Sequence, residues 1–550
     1  MTALGIPRAA NSASVLSGNS FDLNIGYQTV NFTGRERTAT TVNGSLPAPV
    51  LRWKEGERVV LNVSNSLAAD SSIHWHGMIL PTEMDGVPGL SFDGIKPGGT
   101  YRYEFDVKQS GTYWYHSHSG FQEQTGVYGA IVIDPAEPEP FSYDRDHVVL
   151  LSDWTDDKPA KVYATLKKQS DFYNWKERTL ADLWRDMRDK GVPATAAERH
   201  MWNMMRMSDR DISDVNGTTY TFLMNGQTPA DNWQALFKPG ETVRLRFINA
   251  SAMTLFDIRI PGLKMKVIAS DGQYVDPVSV DEFRIGVAET YDVLVEPEAD
   301  IAYPLFAQTI DRTGYALGSL TPDASLRAEA PPADSRVILG HGDMGMNHAE
   351  MNHSTMNHGE MNHSDMNSGI APAGGGTRAE IIHVPEEYGP HIDMRAAVPK
   401  QQLDDPGIGL RNNGRRVLTY SDLHNLSPTP DPRDPTRELQ LHLTGNMERY
   451  MWSINGVRFA DAEPLRFTLG ERLRITLVND TMMNHPIHLH GMWTDLETGD
   501  AANIPRKHTV IVQPGSQISY LVTADAPGRW AYHCHLMYHM MSMFRVVEVS

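Results

Sequence analysis

The chain contains 550 residues, of which 40% are hydrophobic, with a single cysteine and a formal net charge of -19. This length exceeds one ordinary domain core, so three domains are expected. One cysteine excludes an intramolecular disulfide, and the apolar runs are too short to span a bilayer, so membrane insertion is not expected. The acidic charge argues against nucleic acid as a partner, because phosphate binding requires clustered lysine and arginine.

The chain starts with MTALGIPRAANSASVLSGN, which lacks the apolar segment of a secretory signal peptide. Two alternatives are open. The protein is cytosolic, or a signal peptide has been removed and Met1 has been added. The ligand pattern described below favours export.

A pattern of a Gly-Glu turn and an alternating apolar strand occurs three times. The turns lie at 54–58, 238–241 and 469–472, and they lead into VVLNVSN, TVRLRFINAS and LRITLVND. Turn punctuation before an alternating strand is typical of β-sandwiches. The repeat therefore predicts an all-β chain with three sandwich domains.

Two histidine pairs follow the first copy of this pattern, in HWHG and in HSH. Alternate residues of a strand point to the same face, so each pair can reach one metal cluster. The pairs are His74 with His76 and His116 with His118. In the middle copy, Phe256-Asp257-Ile258-Arg259 stands where a histidine block is expected, which predicts a spacer domain without metal ligands.

Residues of about 157–210 break the strand pattern and are predicted to form a helical insert, since charged and aromatic residues recur there at near-helical spacing. The predicted domains are 18–140, 145–335 and 401–550, with a Met- and His-rich linker at 336–400.

Within this linker, the tract 341–368 repeats Met-Asn every five residues, a period that fits neither a helix nor a strand. We expect a disordered loop. Thioether and imidazole groups suit Cu(I), so the tract is interpreted as a copper-collecting arm; the alternative is a polar linker with an expanded repeat. The candidate substrate-copper ligands are Met351, His353, Met356, His358, Met361 and His363.

The last part of the chain contains two more histidine pairs, in HPIHLH and in HCH. With the first two pairs they supply eight imidazoles, enough for a cluster of three coppers. The only cysteine, Cys534, faces the opposite side of its strand from its two neighbours. His485, Cys534, His539 and a methionine would form a mononuclear thiolate copper site. Met482 and Met483 precede His485 and are candidates for a substrate copper site, or fill the core.

On these four blocks, the chain resembles the multicopper oxidases, and most closely the bacterial periplasmic copper-resistance oxidases. The resemblance implies three cupredoxin-like Greek-key β-sandwiches and four copper ions: one type 1, one type 2 and two type 3. It places the type 2 ligands at His74 and His488, and the type 1 ligands at His485, Cys534 and His539. The type 3 ligands implied are His76, His116, His118, His490, His533 and His535.

The chain departs from the family pattern at two positions. The residue at the usual axial position is Phe544, so Met543 is the expected axial ligand, with Met540 and Met541 as alternatives. Several relatives have a carboxylate for proton delivery where this chain has Met540, so protons require another route. Asp85 matches an acidic residue near the trinuclear site of relatives, and Glu123 is a second candidate.

The predicted function is one-electron oxidation of a donor, with Cu(I) favoured, coupled to reduction of dioxygen to water in copper resistance. The alternatives are a laccase-like phenol oxidase and a periplasmic copper-binding or storage protein. The resemblance implies a periplasmic location after removal of a signal peptide, and a monomer is expected.

Overall fold

The computed structural model describes residues 14–174, 178–345 and 370–550, and its strands form six sheets. Strand accounts for 38% and helix for 11%, which confirms the all-β prediction. The greater part of the Met- and His-rich tract, with its six candidate ligands, lies outside the described residues. In the part of the chain that is described, each helix is too short or too polar to cross a membrane.

The first two sheets are built from residues 15–134. Their strands are β1 (Val15–Ser17), β2 (Ser20–Val30), β3 (Arg37–Val42), β4 (Ala48–Lys54), β5 (Arg58–Asn65), β6 (His74–His76), β7 (Thr100–Asp106), β8 (Gly111–His116) and β9 (Tyr128–Asp134). One sheet has the order β1-β4-β9-β8-β6 and the other β3-β2-β5-β7. Trp53 joins the two sheets, since its ring lies 5.8 Å from Phe105 of the other sheet.

The middle sheets use residues 145–321. Their strands are β10 (Arg145–Trp154), β11 (Thr221–Met224), β12 (Trp233–Leu236), β13 (Val243–Asn249), β14 (Phe256–Arg259), β15 (Met265–Ser270), β16 (Gln273–Val280), β17 (Glu282–Ile285), β18 (Thr290–Val295), β19 (Tyr303–Thr309) and β20 (Tyr315–Thr321). The orders are β11-β10-β13-β18-β15-β16 and β12-β20-β19-β14-β17.

The last sheets use residues 437–549. Their strands are β21 (Arg437–Asn446), β22 (Met451–Ile454), β23 (Leu465–Phe467), β24 (Arg472–Asn479), β25 (His485–Leu489), β26 (Thr494–Leu496), β27 (Arg506–Lys507), β28 (Thr509–Val512), β29 (Gln517–Thr523), β30 (Gly528–Cys534) and β31 (Phe544–Val549). The orders are β22-β21-β24-β29-β26-β27 and β23-β31-β30-β25-β28.

The middle and last sheets share one topology, because adding eleven to each middle strand number reproduces the order of the last sheets. Strand β14 therefore corresponds to β25. Phe256 pairs with Ile285 as His485 pairs with Val512, so Arg259 takes the register position of His488. In this register, Phe256–Arg259 occupies the strand positions that His485–His488 occupy in the last sheets, which is why FDIR stands where a histidine block was expected.

The helical insert is present between β10 and β11. It consists of α2 (Pro159–Leu166), α3 (Leu180–Lys190) and α4 (Val192–Met205); α1 (Gln122–Thr125) and α5 (Met537–Met540) are single turns elsewhere. Thr179 and Asp182 form a capping box that starts α3. Short 3-10 helices occupy Thr82–Met84, His341–Met344, Pro385–Tyr388, Tyr420–Asp422 and Phe459–Asp461. The domain boundaries given above remain a prediction.

Candidate metal centres

The two ends of the chain bring eight histidines into one buried cluster. Strands β6 and β8 pair with His74 opposite His116, and β25 and β30 pair with His488 opposite His533. The imidazole of His74 stacks on that of His490 at 3.9 Å between ring centroids. All eight belong to the sequence-predicted set: His74, His76, His116, His118, His488, His490, His533 and His535.

Contacts across the cluster are close. His76 stacks on His488 at 3.8 Å between centroids, and the Nε2 atoms of His490 and His533 lie 3.1 Å apart. Burial lowers the pKa of His76 well below its usual value, and the neighbouring imidazoles lower it further. Neutral rings with free lone pairs are the form that binds a metal ion.

The arrangement of ring nitrogens fits bound metal. His74 and His488 each donate Nδ1–H to a backbone carbonyl, that of Asp85 (2.8 Å) and of His508 (2.5 Å). Their buried Nε2 atoms have no hydrogen-bond partner among the described residues. One nitrogen held by protein and the other left free is the usual state of a ligand histidine. Among the described residues, the Nε2 of His118 and both ring nitrogens of His116 and His535 also lack a hydrogen-bond partner.

A second centre contains the only cysteine. Cys534 Sγ lies 3.5 Å from His485 Nδ1 and 4.0 Å from His539 Nδ1, and these two nitrogens are 3.3 Å apart. Burial raises the pKa of the Cys534 thiol, so a bound cation is needed to stabilise the thiolate there. One soft thiolate with two imidazoles suits copper.

The methionines predicted as axial ligands occupy different environments. The Cys534 N–H donates to the Met543 carbonyl (3.1 Å), whereas Phe544 pairs with His533 and its ring stacks on that imidazole. Paired residues of an antiparallel ladder share a face, so Phe544 lies on the side of His533 and Met543 on that of Cys534. Met543 is fully buried, while Met541 is 45% exposed.

Asp85 touches two histidines of the large cluster. Its Oδ2 lies 2.9 Å from His490 Nδ1 and its Oδ1 3.3 Å from His74 Nδ1. The next residue, Gly86, has a φ of +82°, and a Cβ there would lie 1.9 Å from the carbonyl oxygen of Ile73. Only glycine allows this close approach, so it fixes the Asp85 carboxylate against β6.

Glu123 lies on α1, and its Oε2 is 2.6 Å from His116 Nδ1. Burial, with the charge of Asp153, raises the pKa of Glu123 well above its usual value. A carboxyl group with a raised pKa keeps its proton to higher pH, so Glu123 beside a cluster histidine is suited to proton transfer.

Three contacting residues were not predicted from the sequence. Asp214 Oδ2 lies 2.7 Å from His539 Nε2, Thr481 Oγ1 lies 2.7 Å from His485 Nε2, and His508 Nδ1 lies 3.1 Å from His76 Nε2. Asp214 follows the helical insert and His508 stands alone in RKHT, so neither belongs to a ligand motif. Burial lowers the pKa of His508 to about 4.

Met482 and Met483, the candidates for a substrate copper site, are 1% and 2% exposed. Both belong to the main hydrophobic core. A Cu(I) ion could reach them only if this segment opened.

Comparison with known proteins identifies the family of this chain. Models described as multicopper oxidase match residues 24–138, 145–325 and 432–550. The chain is 56% identical to Copper resistance protein A of Escherichia coli, over 100% of this chain and 95% of that protein. It is 59% identical to the Copper resistance protein A homolog of Pseudomonas syringae pv. tomato, over 97% of this chain and 93% of that protein.

Solved structures share the fold. Fet3p, a multicopper oxidase that functions in iron import, superposes with a TM-score of 0.66 at 18% identity, covering 97% of this chain and 91% of that chain. A Campylobacter jejuni multicopper oxidase, a metallo-oxidase, gives 0.60 at 18% identity over 98% and 94% of the two chains. The family matches and the high identity to two relatives show that this chain belongs to the multicopper oxidase family, whose enzymes use copper as cofactor.

Proposed function

We propose that this enzyme oxidises Cu(I) to Cu(II) and reduces dioxygen to water, and that this protects the cell against copper. The name of the relatives at 56% and 59% identity supports copper resistance. The observation that carries the proposal is the pair of buried ligand clusters joined by His533-Cys534-His535. The family resemblance also leads us to propose a monomer located in the periplasm.

We assign one type 1, one type 2 and two type 3 coppers to these clusters. Copper bound at these residues would supply the one-electron redox chemistry that the reduction of dioxygen requires. His485, Cys534, His539 and Met543 would hold the type 1 copper. The type 2 ligands are His74 and His488; the type 3 ligands are His76, His116, His118, His490, His533 and His535.

Three consecutive residues connect the two centres: His533 and Cys534 are the last two residues of β30, and His535 directly follows the strand. His533 and His535 belong to the large cluster, while the side chain of Cys534 between them reaches His485. The alternation of a strand thus places both sets of ligands on one short stretch of backbone. This stretch gives electrons a short covalent path.

The surroundings of the type 1 histidines favour a small inorganic donor. His485 Nε2 is covered by Thr481 and His539 Nε2 by Asp214, and both imidazoles are fully buried. Asp214 also accepts a hydrogen bond from the Tyr450 hydroxyl (2.9 Å). A phenol therefore has no direct contact with these edges, and the nearby Asp214 carboxylate would attract a cation such as Cu(I) electrostatically.

We expect Asp214→Asn to slow electron entry from Cu(I) by about 10- to 100-fold, the usual effect of losing a partner of a ligand histidine. Stopped-flow loss of the type 1 absorption measures this rate, and the type 1 reduction potential should shift as well. Asp189→Asn, at a surface carboxylate of α3 that is 51% exposed, is the matched control. An unchanged rate and potential in Asp214→Asn would remove Asp214 from the electron-entry site.

The proposed function is tested by dioxygen uptake of the copper-loaded protein with Cu(I) or a phenol at equal concentration, corrected for uncatalysed oxidation. We expect faster uptake with Cu(I). Faster uptake with the phenol would favour a laccase-like enzyme, and no uptake with either donor would favour copper storage.

A separate variant tests the tract. At low copper, substituting Ala for the tract methionines 351, 356 and 361 should raise the apparent KM for Cu(I) if the tract collects copper.

A further inference from the structure

A second group of histidines and carboxylates lies outside both copper centres. It contains His383 and Glu387 from the segment that follows the Met- and His-rich tract, His442 from β21, and Asp480 directly after β24. We call these four residues the linker cluster. Glu387 and Asp480 have no exposed side-chain surface, and the His442 side chain is 2% exposed.

The four side chains alternate in a closed ring of contacts. His383 Nδ1 lies 2.8 Å from Glu387 Oε2 and 3.6 Å from Asp480 Oδ2. His442 Nδ1 lies 2.7 Å from Asp480 Oδ2 and 3.4 Å from Glu387 Oε2. An ion held tetrahedrally at roughly 2.0–2.2 Å places neighbouring ligand atoms about 3.3–3.6 Å apart. The two longer distances, 3.4 and 3.6 Å, fall in this range, and the two shorter ones, 2.7 and 2.8 Å, would lengthen slightly around a bound ion.

The hydrogen bonds behind His442 restrict where its proton lies. Its Nε2 is 3.1 Å from Gln440 Oε1, and the orientation of that amide is fixed because Oε1 accepts from the Ile382 N–H and Nε2 donates to the Glu380 carbonyl. His442 Nε2 must therefore carry the hydrogen. If Nδ1 is unprotonated, its lone pair faces the Asp480 carboxylate at 2.7 Å, which is repulsive; a cation bound by both atoms, or a second proton on the ring, removes this repulsion.

His383 shows the same arrangement, with its Nε2 3.4 Å from the Ala396 carbonyl and its Nδ1 facing Glu387. A ligand histidine typically donates its second N–H in this way. Histidines 74 and 488 of the large cluster follow the same pattern, with a backbone carbonyl on one nitrogen.

The two carboxyl groups are buried side by side with the two imidazoles. Asp480 Oδ1 accepts from the Ala396 N–H (2.6 Å), but Glu387 Oε1 has no hydrogen-bond partner in the described part of the chain. The nearby Arg395 donates to the Glu387 backbone carbonyl. Buried charges require compensation, which here means two imidazolium ions or one divalent cation.

We propose that the linker cluster is a further metal site, which binds one divalent ion of the zinc–copper class through His383, Glu387, His442 and Asp480. Two imidazoles and two carboxylates are a common donor set for Zn²⁺, and Cu²⁺ binds the same donors. The ion fastens the segment around 383–396 to β21 and to the turn that leads into His485. It lies outside the proposed oxidase centres and does not depend on the proposed function.

The test uses the full chain loaded with copper, with alanine at His348, His353, His358 and His363 so that the tract does not contribute imidazole ligands. The protein is incubated with Zn(II) or, separately, with excess Cu(II), then desalted, and the metal content is measured by mass spectrometry. We expect about one extra divalent ion per chain. Anomalous scattering at the zinc edge from crystals should place that ion between the four side chains.

Two variants report on the site independently. His383→Ala removes the most accessible ligand and Glu387→Gln conserves shape, so one remains informative if the other fails to fold. Each should lose the extra ion while keeping the type 1 absorption. His391→Ala is the matched control, because His391 lies in the same segment but bonds the Gly456 carbonyl instead. Equal metal content in all variants, or no anomalous signal at the cluster, would overturn the proposal in favour of two imidazolium–carboxylate pairs.

Discussion

Replacing Cys534 by serine will reduce dioxygen uptake to the background measured without protein and will remove the intense visible absorption of type 1 copper. The reason is that serine offers a hard hydroxyl, which remains protonated, in place of the only thiolate of the centre. The copper content should fall from about four to about three ions per chain.

The remaining coppers report on the specificity of this loss. Because His533 and His535 face the opposite side of the strand from Cys534, the eight-histidine cluster should stay loaded in Cys534→Ser, as measured by electron paramagnetic resonance of type 2 copper. Met541→Leu is the matched control, since that side chain is 45% exposed and lies in the same segment. Persistence of the visible absorption in Cys534→Ser would contradict the assignment of the thiolate.

The sequence predicted most of both clusters because the ligands follow the two-residue period of a strand. The four His-x-His pairs lie in the first and last copies of the repeat, and the two copies pair their histidine strands alike: β6 with β8 places His74 opposite His116, and β25 with β30 places His488 opposite His533. Local spacing was sufficient there, because the spacing of two residues along a strand determines whether their side chains point to the same face of the sheet.

Residues supplied by other elements could not be predicted in this way. Asp214 reaches His539 across 325 positions of sequence, from a loop beyond the helical insert. His508 touches His76 across 432 positions. A single aspartate or histidine has no periodicity, so only the packing of distant elements reveals it. The linker cluster is hidden for the same reason, since its ligands come from three separate segments.

The second large effect concerns proton supply. We expect Glu123→Gln to lower the rate of dioxygen reduction by about 100-fold or more at neutral pH, because an amide cannot supply the proton of a carboxyl group. Burial raises the pKa of Glu123 well above its usual value, so the group is protonated below that raised pKa and loses its proton as the pH rises through it. The wild-type rate should therefore fall on the alkaline side, and this dependence should be absent from Glu123→Gln.

Two measurements separate proton donation from a positioning role. Reduction of type 1 copper by Cu(I) and the total copper content should remain at wild-type values in Glu123→Gln, and the surface variant Glu137→Gln should behave as wild type throughout. A loss of copper with a rate reduced equally at every pH would instead show that Glu123 only orients His116 through their 2.6 Å contact.

The position of Met540 allows a stricter test. Several relatives have a carboxylate there, and the Met540 side chain packs against a small cluster that contains Val87 and Phe544. Phe544 stacks on His533, so position 540 approaches the eight-histidine cluster from the last sheets, whereas Glu123 approaches it from the first. If this chain has moved its proton donor from one side to the other, Met540→Glu should restore part of the rate in the Glu123→Gln background. Met540→Gln should not, because it matches the size of glutamate without its proton. Equal rates in the two double variants would mean that protons reach dioxygen by a route that uses neither position.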